Sequence, residues 1–147
     1  MAENVAERAI QEIVDTLIDA WNRHDAHAFA KCFAEDAQFT NVFGVVANGR
    51  AEIESGHAAI FRTIFRSSHV TQMDVTVRLF RPDTAAVDVR WELTGSFSPD
   101  GNHVPLRQGL MNFIVTENKG TWPIAIFHNQ DTPPPERMKA LQDLWKQ

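Results

Sequence analysis

Several protein classes are excluded by what this sequence has little of. Its 147 residues contain one cysteine, Cys32, so no disulfide can form within the chain. Lysine and arginine together number 14 against 19 aspartates and glutamates, the formal net charge is −5, and no basic run occurs. Because nucleic-acid binders need a positive patch that releases counterions from phosphates, we expect no nucleic-acid partner.

Long apolar runs are also missing. Charged or polar residues interrupt every apolar stretch well before the ~20 residues that span a bilayer. The first residues, Met1 to Asn4, lack the basic and long apolar regions of a signal peptide. Together with the single cysteine, these absences predict a soluble, cytoplasmic protein that has no membrane partner.

Signatures of metals and cofactors are scarce too. The six histidines show no HxH or HxxxH spacing, and the one cysteine cannot form a CxxC pair. Zinc normally takes four ligands from such short-range pairs, so we expect no metal. No glycine-rich phosphate loop stands between a strand and a helix, so we also expect no nicotinamide or flavin cofactor.

The first part of the chain predicts helices and one strand. Apolar residues at three- and four-residue spacing predict a helix over 4–22. Asp25 is placed to cap a second, short helix that carries Phe29, Cys32 and Phe33 and closes at Asp36. β-Branched and aromatic residues predict a strand over 38–46 and a turn over 47–49. A third helix is predicted over 50–66, with His57 in its apolar stripe.

Strands dominate the second half. Apolar and polar residues alternate over 72–79 and about 84–96, and further strands are predicted over 104–116 and 121–128. Such strands, joined by tight turns, form an antiparallel meander. We therefore predict the α+β class: a cone-shaped, curved antiparallel sheet wrapped around three N-terminal helices, plus a short C-terminal helix. The free face of this sheet suits a second copy of the chain, so a homodimer is expected.

The length bounds the number of domains. A chain of 147 residues buries roughly 68–70% of its unfolded surface, enough for one core and a cavity. We assign residues 1–130 to one cone domain and 131–147 to a proline-rich spacer with a helical tail. The apolar residues of that tail are Met138, Leu141, Leu144 and Trp145. They could close the mouth of the cone, pack on the outer sheet or reach a neighbouring chain.

One set of residues occurs in an order that is typical of a superfamily. The set is Ala20-Trp21-Asn22, Asp25, Phe33, Asp36-Ala37, Phe43-Gly44, Gly49-Arg50, Ile53, His57 and Phe127-His128-Asn129. Over residues 8–130 the chain resembles the nuclear transport factor 2-like superfamily, and within it the SnoaL-like branch with the SgcJ/EcaC-type bacterial proteins. The resemblance implies a cystatin-like roll with a hydrophobic pocket. Because members include isomerases, dehydratases, cyclases and non-catalytic binding modules, it does not decide the activity.

The ketosteroid isomerase branch of that superfamily can be compared position by position. Its general base is a carboxylate two residues after the apolar residue that matches Phe39. The matching position here is Asn41, which cannot take up a proton at neutral pH. The tyrosine donor of that branch aligns with Leu17, and its protonated aspartate lies near Met111. The comparison therefore excludes enolisation by that set of residues.

Polar residues that could share the cavity are the candidates for catalysis. We predict His128, His57 and Asn41 as catalytic residues, because a neutral imidazole beside an apolar cavity can move a proton and an amide can orient a carbonyl. His128 continues the alternation of Ile124 and Ile126, so we expect it on their side of the strand and the next residue on the other. In the alternative interpretation both histidines are structural residues with satisfied hydrogen bonds.

Ligand-binding residues are predicted among the aromatic residues and their polar neighbours. Arg107 would attract anions if it pointed inward, and it would only solvate the sheet if it pointed outward, which we prefer. We expect Arg50 to pair with Asp36. The predicted ligand-binding residues are Trp21, Phe33, Phe43, Phe61, Trp91, Arg107, Phe113 and Asn129. A lining of this type selects flat, apolar ligands.

Two functional hypotheses remain from the sequence. The first is a pocket for a small hydrophobic molecule with acid–base chemistry of an isomerase, dehydratase or cyclase type. The second is a non-catalytic ligand-binding or dimerisation module. Some SgcJ/EcaC-type proteins are labelled oxidoreductases, but without a nucleotide-binding loop no residue pattern supports that activity here.

Overall fold

The computed structural model describes residues 2–147; Met1, which belongs to the segment without a signal-peptide pattern, lies outside the described residues. Within residues 2–147 the chain has the predicted α+β architecture. The helices are α1 (Ala2–Asn22), α2 (Ala26–Lys31), α3 (Arg50–Arg62) and α4 (Pro135–Trp145). The strands are β1 (Phe33–Thr40), β2 (Val46–Asn48), β3 (His69–Arg81), β4 (Thr84–Thr94), β5 (Arg107–Thr116) and β6 (Ile124–Asp131). None of the helices in this range is long and apolar enough to cross a membrane.

The second helix is shorter than predicted. Asp25 caps α2 as expected, since its carboxylate accepts a hydrogen bond from the Ala28 N–H at 3.0 Å, and this bond lowers the pKa of Asp25. The helix ends before Phe33, which begins β1, so the predicted extension was wrong. The cause is non-local: the Cys32 carbonyl accepts from the Ile124 N–H at 2.9 Å, where pairing with β6 begins.

The strands form one curved sheet in the order β2-β1-β6-β5-β4-β3. Strands β3 to β6 make the predicted antiparallel meander, whereas β1 runs parallel to β6. Register shifts interrupt the pairing of β1 with β6, of β3 with β4 and of β5 with β6. Such bulges bend strands and increase their twist, so the sheet wraps around the helices. Fully buried side chains such as Ile10, Val87 and Phe113 fill the space between them.

One bulge decides which residues of β6 face inward. Successive residues of β5 pair with Ile124 and Ile126, so Ala125 is an extra residue without a partner. Ile124 is fully buried, but beyond the bulge Ile126 is 45% exposed and Phe127 only 2%. The predicted alternation is therefore wrong from Ile126 onward, and His128 lies exposed on the outer face.

The start of α3 is held by a backbone carbonyl and not by an ion pair. The Nε and Nη2 atoms of Arg50 donate to the Phe33 carbonyl oxygen at 3.0 and 2.7 Å. Asp36 is exposed, and in the described part of the chain no ion pair joins it to Arg50, so the expected pair was wrong. This contact ties the first turn of α3 to the first residue of β1.

The tail helix α4 buries none of its side chains. Leu144 is 63% exposed and Trp145 is 92% exposed. The spacer before it is fixed to β5, because the Thr132 N–H donates to the Gln108 carbonyl at 2.9 Å and the Gln108 Nε2 donates to the Pro133 carbonyl at 2.6 Å. The spacer is therefore anchored, whereas the apolar side of α4 is uncovered in the single chain.

Candidate functional site

A cavity of about 240 Å³ lies between the helices and the inner face of the sheet. Most of its wall is apolar and comes from α1, α3, β1, β4, β5 and β6. Its lining residues include the polar side chains Asn41, Glu52, His57, Arg107 and Asn129. Phe43 and Val45 line the cavity while being 71% and 62% exposed, so they mark its mouth.

His57 is a buried titratable group on this wall. It is 4% exposed, the Phe29 ring stacks on it with 4.1 Å between centroids, and the rings of Trp21, Phe39 and Phe61 contact it edge-on. Burial among these rings disfavours the imidazolium and lowers the pKa of His57 to about 4, an effect that its one hydrogen bond opposes only in part. The imidazole is therefore neutral at pH 7.

The hydrogen bond of His57 determines its tautomer. Nδ1 lies 2.7 Å from the carbonyl oxygen of Ile53, one turn earlier in α3. Because a carbonyl can only accept, Nδ1 carries the proton and Nε2 has the free lone pair. Within the described residues Nε2 has no hydrogen-bond partner, and it is not a fully enclosed atom. The apolar wall thus presents a neutral hydrogen-bond acceptor to the cavity.

Asn41 organises the loop between β1 and β2 at the mouth. Its Oδ1 accepts hydrogen bonds from the N–H groups of Phe43 and Val45, both at 2.9 Å. Because backbone N–H groups only donate, the atom they contact must be the oxygen, so the amide nitrogen is left for the cavity. Within the described residues the amide nitrogen has no hydrogen-bond partner, so Asn41 fixes the loop and keeps a donor available at the same time.

Arg107 points inward, so the expected outward orientation was wrong. Its side chain is 18% exposed, and its Cζ lies 5.9 Å from the ring centroids of both Phe65 and Trp91. Nη2 and Nε donate to Oδ1 of Asp131 at 2.8 and 3.2 Å. Arg107 and the buried Met111 are four residues apart on β5, so both side chains point to the same face of the sheet. The ion pair with Asp131, at the end of the neighbouring strand, makes this inward position favourable for a charged group.

Trp91 and Asn129 form the adjoining wall. The Trp91 Nε1 donates to Oδ1 of Asn129 at 2.9 Å, and the Gln130 N–H donates to the same oxygen at 3.0 Å. The Trp91 indole crosses Gly109 on the next strand, where an added Cβ would overlap the ring and the Gln130 carbonyl. Only glycine leaves room for this arrangement, so Gly109 is needed for the position of the indole.

The structure separates the predicted site residues into three groups. Lining the cavity are His57, Asn41, Trp21, Phe43, Trp91, Arg107 and Asn129. Phe33, Phe61 and Phe113 are at most 6% exposed and belong to the packed core instead. His128 lies on the outer face, in register with Asn112 of β5, because the bulge exchanges the positions expected for it and Asn129.

Two acidic residues near the cavity were missed in the sequence. Glu52 lines the cavity from the first turn of α3, and its Oε1 accepts from the Asn48 N–H at 3.2 Å. Asp131 ends β6 and pairs with Arg107. Asp131 lies four residues after the buried Phe127, so alternation along β6 places both on the same face. The sequence did not indicate this because the strand was predicted to end at residue 128.

Neither a metal cluster nor an activated thiol is found in the described range. No group of three or more His, Cys, Asp or Glu residues within residues 2–147 is placed to hold a metal ion. Burial raises the pKa of the Cys32 thiol to about 11, so it is not a nucleophile at neutral pH. The polar groups that line this cavity are the imidazole of His57, the amides of Asn41 and Asn129, the guanidinium of Arg107 and the carboxylate of Glu52.

Sequence comparison gives one family match. A family model described as the SnoaL-like domain matches residues 14–120. A search of the curated proteins gives no match. The matched range contains α2, α3 and the first five strands, and it includes His57, Asn41 and Arg107.

Solved structures show the same fold. A cystatin-like protein of uncharacterised function from Caulobacter vibrioides has a TM-score of 0.83 and 26% identity, covering 90% of this chain and 94% of that chain. A cystatin-like domain of unknown function from Nostoc punctiforme has a TM-score of 0.77 and 27% identity, covering 96% and 86%. A protein from Novosphingobium aromaticivorans, provisionally named a scytalone dehydratase, has a TM-score of 0.75 and 14% identity, covering 90% and 87%. The last likeness concerns the fold alone.

Proposed function

The chain belongs to the SnoaL-like domain family of the nuclear transport factor 2-like superfamily, and we propose that it is a small-molecule pocket protein in which His57 moves a proton of an apolar ligand. The observation that carries this proposal is that His57 lines an apolar cavity while its Nδ1 is bonded to the Ile53 carbonyl, which leaves the lone pair of Nε2 for a ligand. Acid–base catalysis needs such an atom within hydrogen-bond reach of the ligand.

The proposed step is transfer of a proton from a C–H group next to a carbonyl. The C–H bond breaks, its proton moves to Nε2 of His57, and its electron pair forms an enolate. The enolate oxygen accepts a hydrogen bond from the free amide nitrogen of Asn41. Because an imidazolium is unfavourable in this wall, it gives up its proton readily, either to the ligand, at the same carbon or another one, or to solvent water, which then supplies the proton that the ligand regains. This favours isomerase-type reactions, in which the ligand loses and regains a proton.

Deuterium exchange tests this step without knowledge of the natural ligand. The probe is 2-tetralone, an apolar bicyclic ketone with acidic C–H groups, followed by proton NMR in D₂O. We compare the wild-type protein with His57→Gln and with the matched control His128→Gln, whose side chain lies on the outer face. The wild type and the control should accelerate exchange relative to buffer alone. The rate enhancement by His57→Gln should be at least about 100-fold smaller than that by the wild type. Equal rates in the two variants would refute the role of His57.

The second candidate function is a non-catalytic binding or dimerisation module in the cytoplasm. It is favoured by the low pKa of His57, which makes the imidazole a weak base, and by the outer face, where the 45% exposed Ile126 lies in register with Ile114. Binding of 2-tetralone without exchange would support this function. Light scattering coupled to gel filtration measures whether the chain is a dimer, and Ile126→Asp should then shift it toward a monomer.

A further inference from the structure

Hydrogen-bond donors from three adjacent strands meet at one rim of the cavity. Arg107 begins β5, Asn129 lies near the end of β6, and Asn41 follows β1. Strands β1 and β6 are parallel, with Thr40 opposite His128, so continuing this register by one residue places Asn41 beside Asn129. We refer to Asn41, Asn129 and Arg107 together as the donor rim.

The acceptor atoms of the two asparagines are already used. Oδ1 of Asn129 accepts from the Trp91 indole and from a backbone N–H, and Oδ1 of Asn41 accepts from two backbone N–H groups. In the described part of the chain, neither amide nitrogen has a hydrogen-bond partner. What these side chains still offer is therefore N–H donors only.

Arg107 adds a charged donor with one free edge. A guanidinium has five N–H groups, and the hydrogen bonds of Nε and Nη2 to Asp131 use two of them. Within the described residues Nη1 has no hydrogen-bond partner, and the edge formed by Nη1 and Nη2 can also bind a carboxylate through two parallel hydrogen bonds. The Arg107 side chain is only 18% exposed and its Cζ lies 5.9 Å from the ring centroids of Phe65 and Trp91, and partial exclusion of water strengthens such bonds.

The acidic residue on the wall, Glu52, lies away from the Arg107 end of this rim. It belongs to the first turn of α3, whereas Phe65, which contacts Arg107, follows the end of that helix. At 1.5 Å per residue, the ten residues from position 52 to 62 separate the two ends by about 15 Å. Its carboxylate is also engaged with the Asn48 N–H. Asp131 is then the anion that competes for Arg107 at the rim.

We propose that the donor rim binds the carboxylate of a flat, apolar acid whose rings fill the cavity. This inference rests on the pocket function proposed above and names the ligand class. The cavity of about 240 Å³ is below the range of drug-sized sites, about 300–1,000 Å³, so the acid has one or two rings. The carboxylate accepts from the free edge of Arg107 and from the amide nitrogen of Asn129, while Asp131 occupies the other edge of the guanidinium and offsets part of its positive charge.

Calorimetric titration with matched pairs of acids and amides tests the proposal. The probes are cinnamate with cinnamamide and 2-naphthoate with 2-naphthamide, which differ in charge but hardly in shape. The wild type should bind each acid at least about tenfold more tightly than its amide, because charge-assisted hydrogen bonds are the stronger ones. Arg107→Gln should abolish that preference and leave amide binding unchanged. The matched control is Arg90→Gln, an exposed arginine on the outer side of β4, which should behave as the wild type.

A second variant separates ligand binding from a structural ion pair. Asp131→Asn removes the competing carboxylate, so acid affinity should rise severalfold while amide affinity stays the same. If acid affinity does not change and only the melting temperature falls, Arg107 serves the fold and the inference is overturned. If Arg107→Gln still binds acids more tightly than amides, the inference is overturned as well. Binding of the amides would in that case still support the proposed pocket function. If neither acids nor amides bind the wild type, both this inference and the proposed pocket function are refuted.

Discussion

Acid should destabilise this protein through one buried imidazole. His57 has a pKa of about 4 in the folded chain, against an ordinary value of 6.5. Between these values the unfolded chain binds a proton at this residue that the folded protein does not bind. The stability linked to neutral His57 is therefore complete above pH 6.5 and is lost progressively as the pH falls toward 4. At about 1.36 kcal/mol for each pKa unit, the full loss is about 3 kcal/mol.

Urea unfolding followed by tryptophan fluorescence measures this loss, since the chain has four tryptophans. Wild type and His57→Gln are compared at about pH 7, 5.5 and 4.5. Between the first and the last of these values, the wild type should lose about 2–3 kcal/mol more than the variant, whose side chain stays neutral throughout. His128→Gln is the control, and it should lose as much as the wild type because it keeps His57 and changes only a side chain on the outer face. Parallel pH profiles for wild type and His57→Gln would show that the imidazole is not held neutral.

Three further predictions concern the fold. Asp25→Ala removes the cap of α2 and should lower the urea concentration at the midpoint of unfolding; an unchanged midpoint would mean that water replaces the cap. Gly109→Ala should cost about 1–3 kcal/mol and shift the fluorescence of Trp91, whereas Gly56→Ala, whose Cβ meets no atom, should be neutral or stabilising. Cys32 should react with a thiol reagent much more slowly in buffer than in urea, and equal rates would contradict its burial.

Features that depend on neighbouring residues were predictable from the sequence. Asp25 lies next to the helix it caps, and the inward residues of β4 alternate without interruption, so both were found. His57 was found in the same way, because helical spacing alone places it among apolar side chains. Helical spacing was therefore enough to indicate an inward position for His57, without knowledge of contacts between distant residues.

Features that depend on distant partners were predicted wrongly. Phe33 continues a helical pattern, but pairing with β6 makes it the first residue of β1. The charge of Arg107 suggested an outward position, but Asp131 on the next strand neutralises it inside. The residues of both pairs are far apart in the chain, and no local pattern contains this information.

The unpaired Ala125 makes the inner face of β6 tolerant of losing one residue at this point. Ile124 and Ile126 pair with successive residues of β5, so a chain without Ala125 would alternate regularly and would still place Phe127 and Asn129 inside and His128 outside. Loss of a paired residue such as Phe127 would instead bring the imidazole of His128 inside and send the amide of Asn129 to the surface. Whether a one-residue deletion in β6 changes the chemistry of the wall therefore depends on whether it removes the bulged residue or a paired one.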